Sequence, residues 1–285
     1  MSLKRQLRSV SHYVTLFLGT RCRTSIPIVF VVAYPKCGTT WVTQLVADYL
    51  QLPYLRNTLL PVGCPAVVHT HVRVWKSFPR GVYVLRDGRD ALVSQYFSLI
   101  SRIPEGDHPH LTSRQRRMLP GLVNKADVRD NIAPFIERQM RRPASSRVNW
   151  ADHVRSYFEV NHPNLVLLRY EDLLHDGESA LAKAMSELTG KEADAEQISI
   201  TIKRFSFARQ ARRRPGPEGP HWLRKGQAGD WVNHFTREAA EIFDHYCGDT
   251  LIAAGYENDH AWVESVRSSD EVVERATAAP SEAGA

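Results

Sequence analysis

Ile28-Val29-Phe30-Val31-Val32-Ala33-Tyr34-Pro35-Lys36-Cys37-Gly38-Thr39-Thr40-Trp41 is the stretch on which the reading of this chain turns. Its first seven residues are apolar and rich in β-branched side chains, the composition of a strand buried on both faces. Pro35 ends the run, and Thr39 to Leu50 carries a helical pattern. A short link between a strand and a helix is a place where backbone N–H groups and the helix dipole can hold a phosphate. Gly38 lets a ligand approach the backbone, Lys36 brings a point charge, and Thr39 and Thr40 bring hydroxyl donors. The lysine precedes the glycine and no Gly-Lys-Ser/Thr follows, so this is not a Walker A loop. Taken alone, the same residues also suit an ordinary strand–helix turn.

Outward from this stretch, short apolar runs alternate with helical patterns. Ala66 to His69, Gly81 to Leu85 and Leu165 to Leu168 read as further strands. Asp90 to Ile100 reads as a helix with Leu92, Val93, Tyr96, Phe97 and Ile100 on one side, and Ser179 to Leu188 as another. Such alternation predicts an α/β fold, a parallel central sheet with helices on both faces. The polar, Arg-rich stretch from Pro104 to Arg147 reads as an insertion of loops and helices over one end of the sheet. Arg212 to Pro220 is a loop by its glycine and proline content. Thr236 to Ala254 is a closing helix with Phe243, Tyr246 and Leu251 toward the core. Residues 1–267 are expected to form a single domain, and 268–285 have the small, polar composition of a disordered tail.

Hydrophobic residues make up 43% of the 285, enough for a sizeable core and too many for wholesale disorder. The net charge of +6 suits an anionic ligand, but also a nucleic acid or a membrane surface. Cys22, Cys37, Cys64 and Cys247 are widely spaced, which argues against a disulfide framework or a zinc site and for a reducing, cytoplasmic setting. No apolar run is long enough to span a membrane. Leu3, Leu7, Val10, Val14 and Phe17 recur at three or four residues, with Lys4, Arg5 and Arg8 between them. That pattern predicts a basic amphipathic helix. It either packs its apolar stripe on the domain, the reading preferred here, or makes a peripheral membrane contact.

Further motifs lie downstream. Val82-Tyr83-Val84-Leu85-Arg86 closes a strand on an arginine, and Ser94 follows eight residues later on the next helix. Asn149-Trp150-Ala151-Asp152-His153-Val154, Leu168-Arg169-Tyr170-Glu171-Asp172-Leu173 and Leu223-Arg224-Lys225-Gly226-Gln227-Ala228-Gly229-Asp230-Trp231 complete the set. Together with Tyr34 to Trp41, these segments resemble the motifs of sulfotransferases that use 3′-phosphoadenosine 5′-phosphosulfate (PAPS). The resemblance implies a P-loop-like α/β fold and transfer of a sulfuryl group to a hydroxyl or amine acceptor, with adenosine 3′,5′-bisphosphate as the other product. It implies that Lys36, Cys37, Gly38, Thr39 and Thr40 form the 5′-phosphosulfate loop. Arg86, Ser94, Arg224, Lys225 and Gly226 would bind the 3′-phosphate, and Trp41, Tyr170 and Phe207 would pack around the adenine. Lys36 would neutralise charge on the bridging oxygen, Ser94 would hold Lys36 until the acceptor arrives, and His71 would take the acceptor proton. No metal is implied.

The chain departs from the family pattern in places. Cys37 stands where serine is usual. A thiol at a helix N-terminus can have a lowered pKa, but Thr43 stands where a cysteine-phosphatase loop needs arginine, so Cys37 is read as a tolerated small residue and not a nucleophile. His69-Thr70-His71 replaces Lys-Thr-His, so the family lysine is missing and His69 is read as a hydrogen-bonding strand residue. Val232 to Glu241 lacks the lysine and valine of the vertebrate dimer motif, which leaves the oligomeric state open. Two rivals are a nucleotide-dependent kinase or hydrolase with Asp87 as magnesium ligand, and a nucleic-acid-binding protein. The missing Gly-Lys-Ser/Thr counts against the first, and the lack of any RNA or DNA module against the second, so no nucleic-acid partner is expected. The acceptor, a small molecule, glycan or lipid, would be met by the 104–147 insertion and the loop before Arg224.

Overall fold

In the computed structural model, the described residues are 3–22, 27–56, 58–103, 112–119, 128–143, 147–160, 162–206, 209 and 226–266. Four parallel strands among them, β1 (Ile28–Ala33), β2 (Ala66–Thr70), β3 (Gly81–Leu85) and β4 (Leu165–Arg169), lie side by side in the order β2-β1-β3-β4. Val32 of β1 is level with Thr70 on one side and Tyr83 on the other. Every residue of β1 and β3 is buried, as central strands of a covered parallel sheet must be. β3 begins on Gly81 because a Cβ there would lie 1.9 Å from the Phe30 carbonyl oxygen.

After β1 the chain steps to β2 on one side, then returns to β3 on the other. That reversal makes a topological switch point between β1 and β3. In open parallel sheets, ligands bind beyond the carboxyl ends of the strands at such a point. The loop Tyr34 to Gly38 leaves β1 there, and Arg86 leaves β3.

The helices are α1 (Leu3–Arg21), α2 (Thr39–Tyr49), α3 (Gly88–Ile100), α4 (Ser113–Met118), α5 (Val128–Arg141), α6 (Trp150–Phe158), α7 (Tyr170–His175), α8 (Gly177–Thr189), α9 (Ala195–Arg204) and α10 (Arg237–Ala253). The chain divides into two compact units, each made of two stretches. The first, Met1–Asp87 with Ser145–Ala228, holds the sheet. In it α2 packs on β1 and β2, α8 on β3 and β4, and α9 against both helices. Side-chain caps start its later helices: the Asn149, Asp176 and Asp194 oxygens accept from the backbone N–H groups of Asp152, Ser179 and Glu196.

The second unit is Gly88–Ala144 with Gly229–Ala285. Its Asp90, fully buried at the start of α3, accepts hydrogen bonds from the N–H groups of Gly229 (2.7 Å) and Trp231 (3.0 Å). Arg89 pairs with Glu257, its guanidinium 3.9 Å from the Trp231 ring and 4.7 Å from that of Trp262. Two motifs far apart in sequence are therefore bonded to each other. The predicted one-sided face of α3 is not observed, since every residue from Gly88 to Tyr96 is buried while Phe97 and Ile100 are only half-buried. Phe243 and Leu251 are core residues of α10, whereas Tyr246 is half-buried and accepts a hydrogen bond from Arg141.

α1 forms where the periodicity places it, but with the opposite face inward. Ser11, Thr15 and Leu16 are buried, while Leu3, Val10 and Phe17 are 72, 61 and 60% exposed. The inner face is polar for a reason. Thr15 Oγ1 accepts from the buried N–H of Val62 (2.9 Å), Ser11 bonds Thr58 (3.3 Å), and His12 Nε2 bonds Thr70 Oγ1 (2.8 Å). The segment around Thr58 to Val62 has no helix or ladder of its own, so side chains must satisfy its backbone. No helix among the described residues is long and apolar enough to cross a membrane. Arg212 to Pro220 and the tail 268–285 lie outside the described residues.

Candidate active site

The loop after β1 is a turn closed by the Cys37 N–H on the Tyr34 carbonyl (3.3 Å). Pro35 sits second in that turn and Lys36 third, with Lys36 at φ +73°. A type II turn demands a left-handed residue there, usually glycine. Lysine carries a penalty of roughly 1 kcal/mol in that conformation, so the strain marks a constrained position. Gly38 follows at φ +80° and begins α2 without a side-chain cap. The first N–H groups of α2 are thus not covered by a capping side chain, the setting that attracts an anion. Thr39 Oγ1 is buried beside them and has no hydrogen-bond partner among the described residues. A Cβ on residue 38 would lie 2.6 Å from the Tyr170 ring, so glycine is also required by close approach. Burial pushes the Cys37 thiol well above its ordinary pKa, which agrees with a small residue tolerated in the loop and not with a nucleophile.

Arg86 is held against this loop. It donates from Nη1 to the Lys36 carbonyl (2.9 Å) and from Nη2 to the Gln227 carbonyl (3.3 Å), with its guanidinium 4.3 Å from the Tyr170 ring centre. Gly226, at φ +61°, adjoins Gln227. Trp41 meets Tyr170 edge to face at 5.9 Å and donates to the Phe205 carbonyl (2.9 Å). Trp150 donates to the Arg86 carbonyl (3.1 Å), which ties the Asn149–Val154 motif to the end of β3. Lys36 in the loop and Thr40 in the first turn of α2 are half-buried. Ser94 is buried on α3, in the other unit. Phe207, Arg224 and Lys225 lie outside the described residues.

His71 Nδ1 lies 2.8 Å from the Ala33 carbonyl oxygen. A carbonyl only accepts, so Nδ1 carries the proton and Nε2 keeps its lone pair. Burial lowers the His71 pKa, the bond to Ala33 opposes that, and the charges of Arg56 and Lys36 lower it further. His69 Nδ1 is 2.9 Å from the Tyr54 hydroxyl, and burial takes its pKa down to about 3. The two rings are 5.6 Å apart, on the same side of the strand end as their spacing predicts. His153 is fully buried behind them, its Nδ1 2.9 Å from the Tyr83 hydroxyl, with a pKa of about 3 through desolvation.

Beside these histidines is a cavity of about 210 Å³. β2 contributes Val68 to His71, α1 contributes Arg8, His12 and Thr15, and the intervening segment contributes Leu55, Thr58 and Val62. Sequence reasoning missed α1 as a wall of this cavity. The available signal was its polar face, on which Ser11, His12 and Thr15 share one side.

Residues 58–255 match the family model described as the sulfotransferase domain, a span that begins after the Tyr34–Trp41 loop. Sulfotransferase 1E1 of Bos taurus is 25% identical over 262 residues, covering 76% of this chain and 81% of that protein. The amine sulfotransferase of Oryctolagus cuniculus is 26% identical over 257 residues, covering 76 and 78%. Among solved structures, mouse sulfotransferase SULT7A1 complexed with PAP superimposes with a TM-score of 0.58 at 19% identity, covering 84% of this chain and 89% of that one. Retinol dehydratase in complex with androsterone and inactive cofactor PAP gives 0.54 at 22% identity, covering 79 and 80%. These two likenesses concern the fold.

Proposed function

The chain belongs to the sulfotransferase family, and on that premise we propose that it moves a sulfuryl group from PAPS to a hydroxyl or amine acceptor and releases adenosine 3′,5′-bisphosphate. The observation that carries the donor assignment is the loop at the switch point. Its left-handed Lys36 and Gly38, its uncapped helix start and the buried Thr39 hydroxyl without a described partner fit a phosphosulfate. In this reading Lys36, Cys37, Gly38, Thr39 and Thr40 hold the 5′ end. Arg86 and Gly226 serve the 3′-phosphate, and Trp41 and Tyr170 flank the adenine. The matching roles of Ser94, Phe207, Arg224 and Lys225 rest on the sequence motifs alone.

The donor supplies a sulfuryl group whose bond to the phosphate oxygen breaks as the acceptor oxygen bonds to sulfur. The protein's task is positioning and charge. His71 Nε2, kept unprotonated by the Nδ1 contact to Ala33, takes the acceptor proton. Lys36 offsets the charge that gathers on the departing phosphate oxygen. The amine sulfotransferase named among the relatives supports a small-molecule acceptor, and four widely spaced cysteines fit a cytoplasmic setting. A second reading concerns α1. Its outward apolar stripe, with Lys4 and Arg21 exposed on the same helix, favours peripheral contact with an anionic membrane surface.

Single-turnover transfer from radiolabelled PAPS to a pool of phenols, alcohols and amines tests the reaction. His71→Ala is expected to lose at least about a hundredfold in rate, with affinity for adenosine 3′,5′-bisphosphate within about threefold of wild type. His69→Ala should keep substantial activity. An active His71→Ala beside a dead His69→Ala would reassign the base. A wild-type protein that neither binds the bisphosphate nor labels any acceptor would end the PAPS reading.

A further inference from the structure

We propose that the cavity at the His69–His71 end of β2 takes the acceptor, and that the acceptor is a small hydroxylated organic anion whose hydroxyl faces His71 and whose negative group meets Arg8. This deepens the sulfotransferase reading and rests on it.

The walls of the cavity restrict what can bind. Leu55, Val62 and Val68 offer an apolar middle. The hydroxyls around it are already engaged. Thr15 donates to the Ser11 carbonyl and accepts from the Val62 N–H, and Thr70 bonds His12. His69 is bonded to Tyr54. Among the described lining residues, the polar groups left for a ligand are the second ring nitrogens of the three histidines, His71 Nε2 among them, and the guanidinium of Arg8, which has no acid partner among the described residues.

Charge points the same way. No aspartate or glutamate is among the described residues that line the cavity. His12, His69 and His71 are all held toward the neutral form by burial, so among the described lining residues Arg8 is the charged side chain. The charges of Arg56 and Lys36 also depress His71, which marks the field at the base as positive. A cationic amine would enter that field with no counter-charge. A carboxylate or phosphate ester would find a planar donor suited to bidentate binding.

The spacing is workable. Arg8 lies one turn of α1 before His12, about 6 Å along the helix axis. His12 Nε2 is bonded to Thr70, the neighbour of His71. Arg8 and His71 line one cavity of about 210 Å³, so a ligand that meets both is small.

The probes are 4-hydroxybenzoate and 3-(4-hydroxyphenyl)propionate, each beside its amide, with tyramine as the cationic arm. Wild type is expected to favour each carboxylate over its amide by about tenfold or more in kcat/KM. Arg8→Gln should bring that ratio near one, and Arg8→Glu should favour tyramine over the carboxylates. Saturation-transfer NMR in the presence of adenosine 3′,5′-bisphosphate gives the same comparison by binding, whatever the turnover. Equal binding and turnover of carboxylate and amide by wild type, or a ratio unmoved in Arg8→Gln, would overturn the proposal. Failure to bind the bisphosphate or to label any acceptor strikes instead at the sulfotransferase reading.

Discussion

Thr39 carries its hydroxyl into the interior at the first turn of α2, where no described residue bonds it. A buried hydroxyl without a partner costs on the order of 1–3 kcal/mol, so a ligand oxygen is the natural compensation. Thr39→Val keeps the branched shape and removes the polar atom. The variant is expected to melt at or above the wild-type temperature without nucleotide, yet to bind adenosine 3′,5′-bisphosphate about tenfold more weakly. Calorimetry and thermal melts check the two halves, and an unchanged affinity would remove Thr39 from the site. Residues of this kind were legible in the sequence because their neighbours along the chain define them: Lys36, Gly38 and Thr39 share one turn. The His71 tautomer was not legible, because Ala33 sets it from another strand. Arg8 was not legible either, since the cavity it lines exists only once α1 lies against β2.

At the scale of elements, the buried strands declared themselves. β1 and β3 are short apolar runs bounded by turn residues, and the observed ends differ from the reading by a residue at most. α6, α7 and α9 were not read as helices. Two of them have fewer than ten residues, and α9 has only Ile198 and Thr201 buried, too narrow a stripe for periodicity to reveal. α1 was read as a helix with the wrong face inward, because periodicity reports that a stripe exists and not what covers it. Its stripe gives a test. The 285-residue chain should co-sediment with vesicles containing phosphatidylglycerol and not with pure phosphatidylcholine. Leu7→Asp with Phe17→Asp should abolish binding without lowering the melting temperature, since both side chains are exposed. Each basic residue near an anionic surface adds roughly 1 kcal/mol, so added salt should also release the protein. Wild type left in the supernatant at low salt would exclude the membrane contact.

For the whole molecule, the histidines make stability depend on pH. Burial lowers the pKa of His12, His69, His71 and His153, the second and fourth to about 3. The unfolded chain binds protons at these groups near pH 6.5 and the folded one at lower pH, for His69 and His153 only near 3, so stability must fall as pH drops from about 6.5 toward those lower values. Each histidine held neutral removes up to about 1.4 kcal/mol per pH unit in that window. A domain has roughly 5–15 kcal/mol to lose, so two units of acidification from pH 6.5 are enough to endanger the fold. His260 acts in the opposite sense, because Asp244 raises its pKa, but it is exposed and screened. The expected result is a free energy of urea unfolding that declines steeply from pH 6.5 to 4.5. His153→Gln should be less stable than wild type at pH 7, since Tyr83 loses its imidazole partner. Its decline with acid should be shallower by about 1.4 kcal/mol per pH unit, the share of one buried histidine. Parallel slopes for the two proteins would mean that His153 takes up a proton without leaving the fold, and that the acid sensitivity belongs to the three histidines around the cavity.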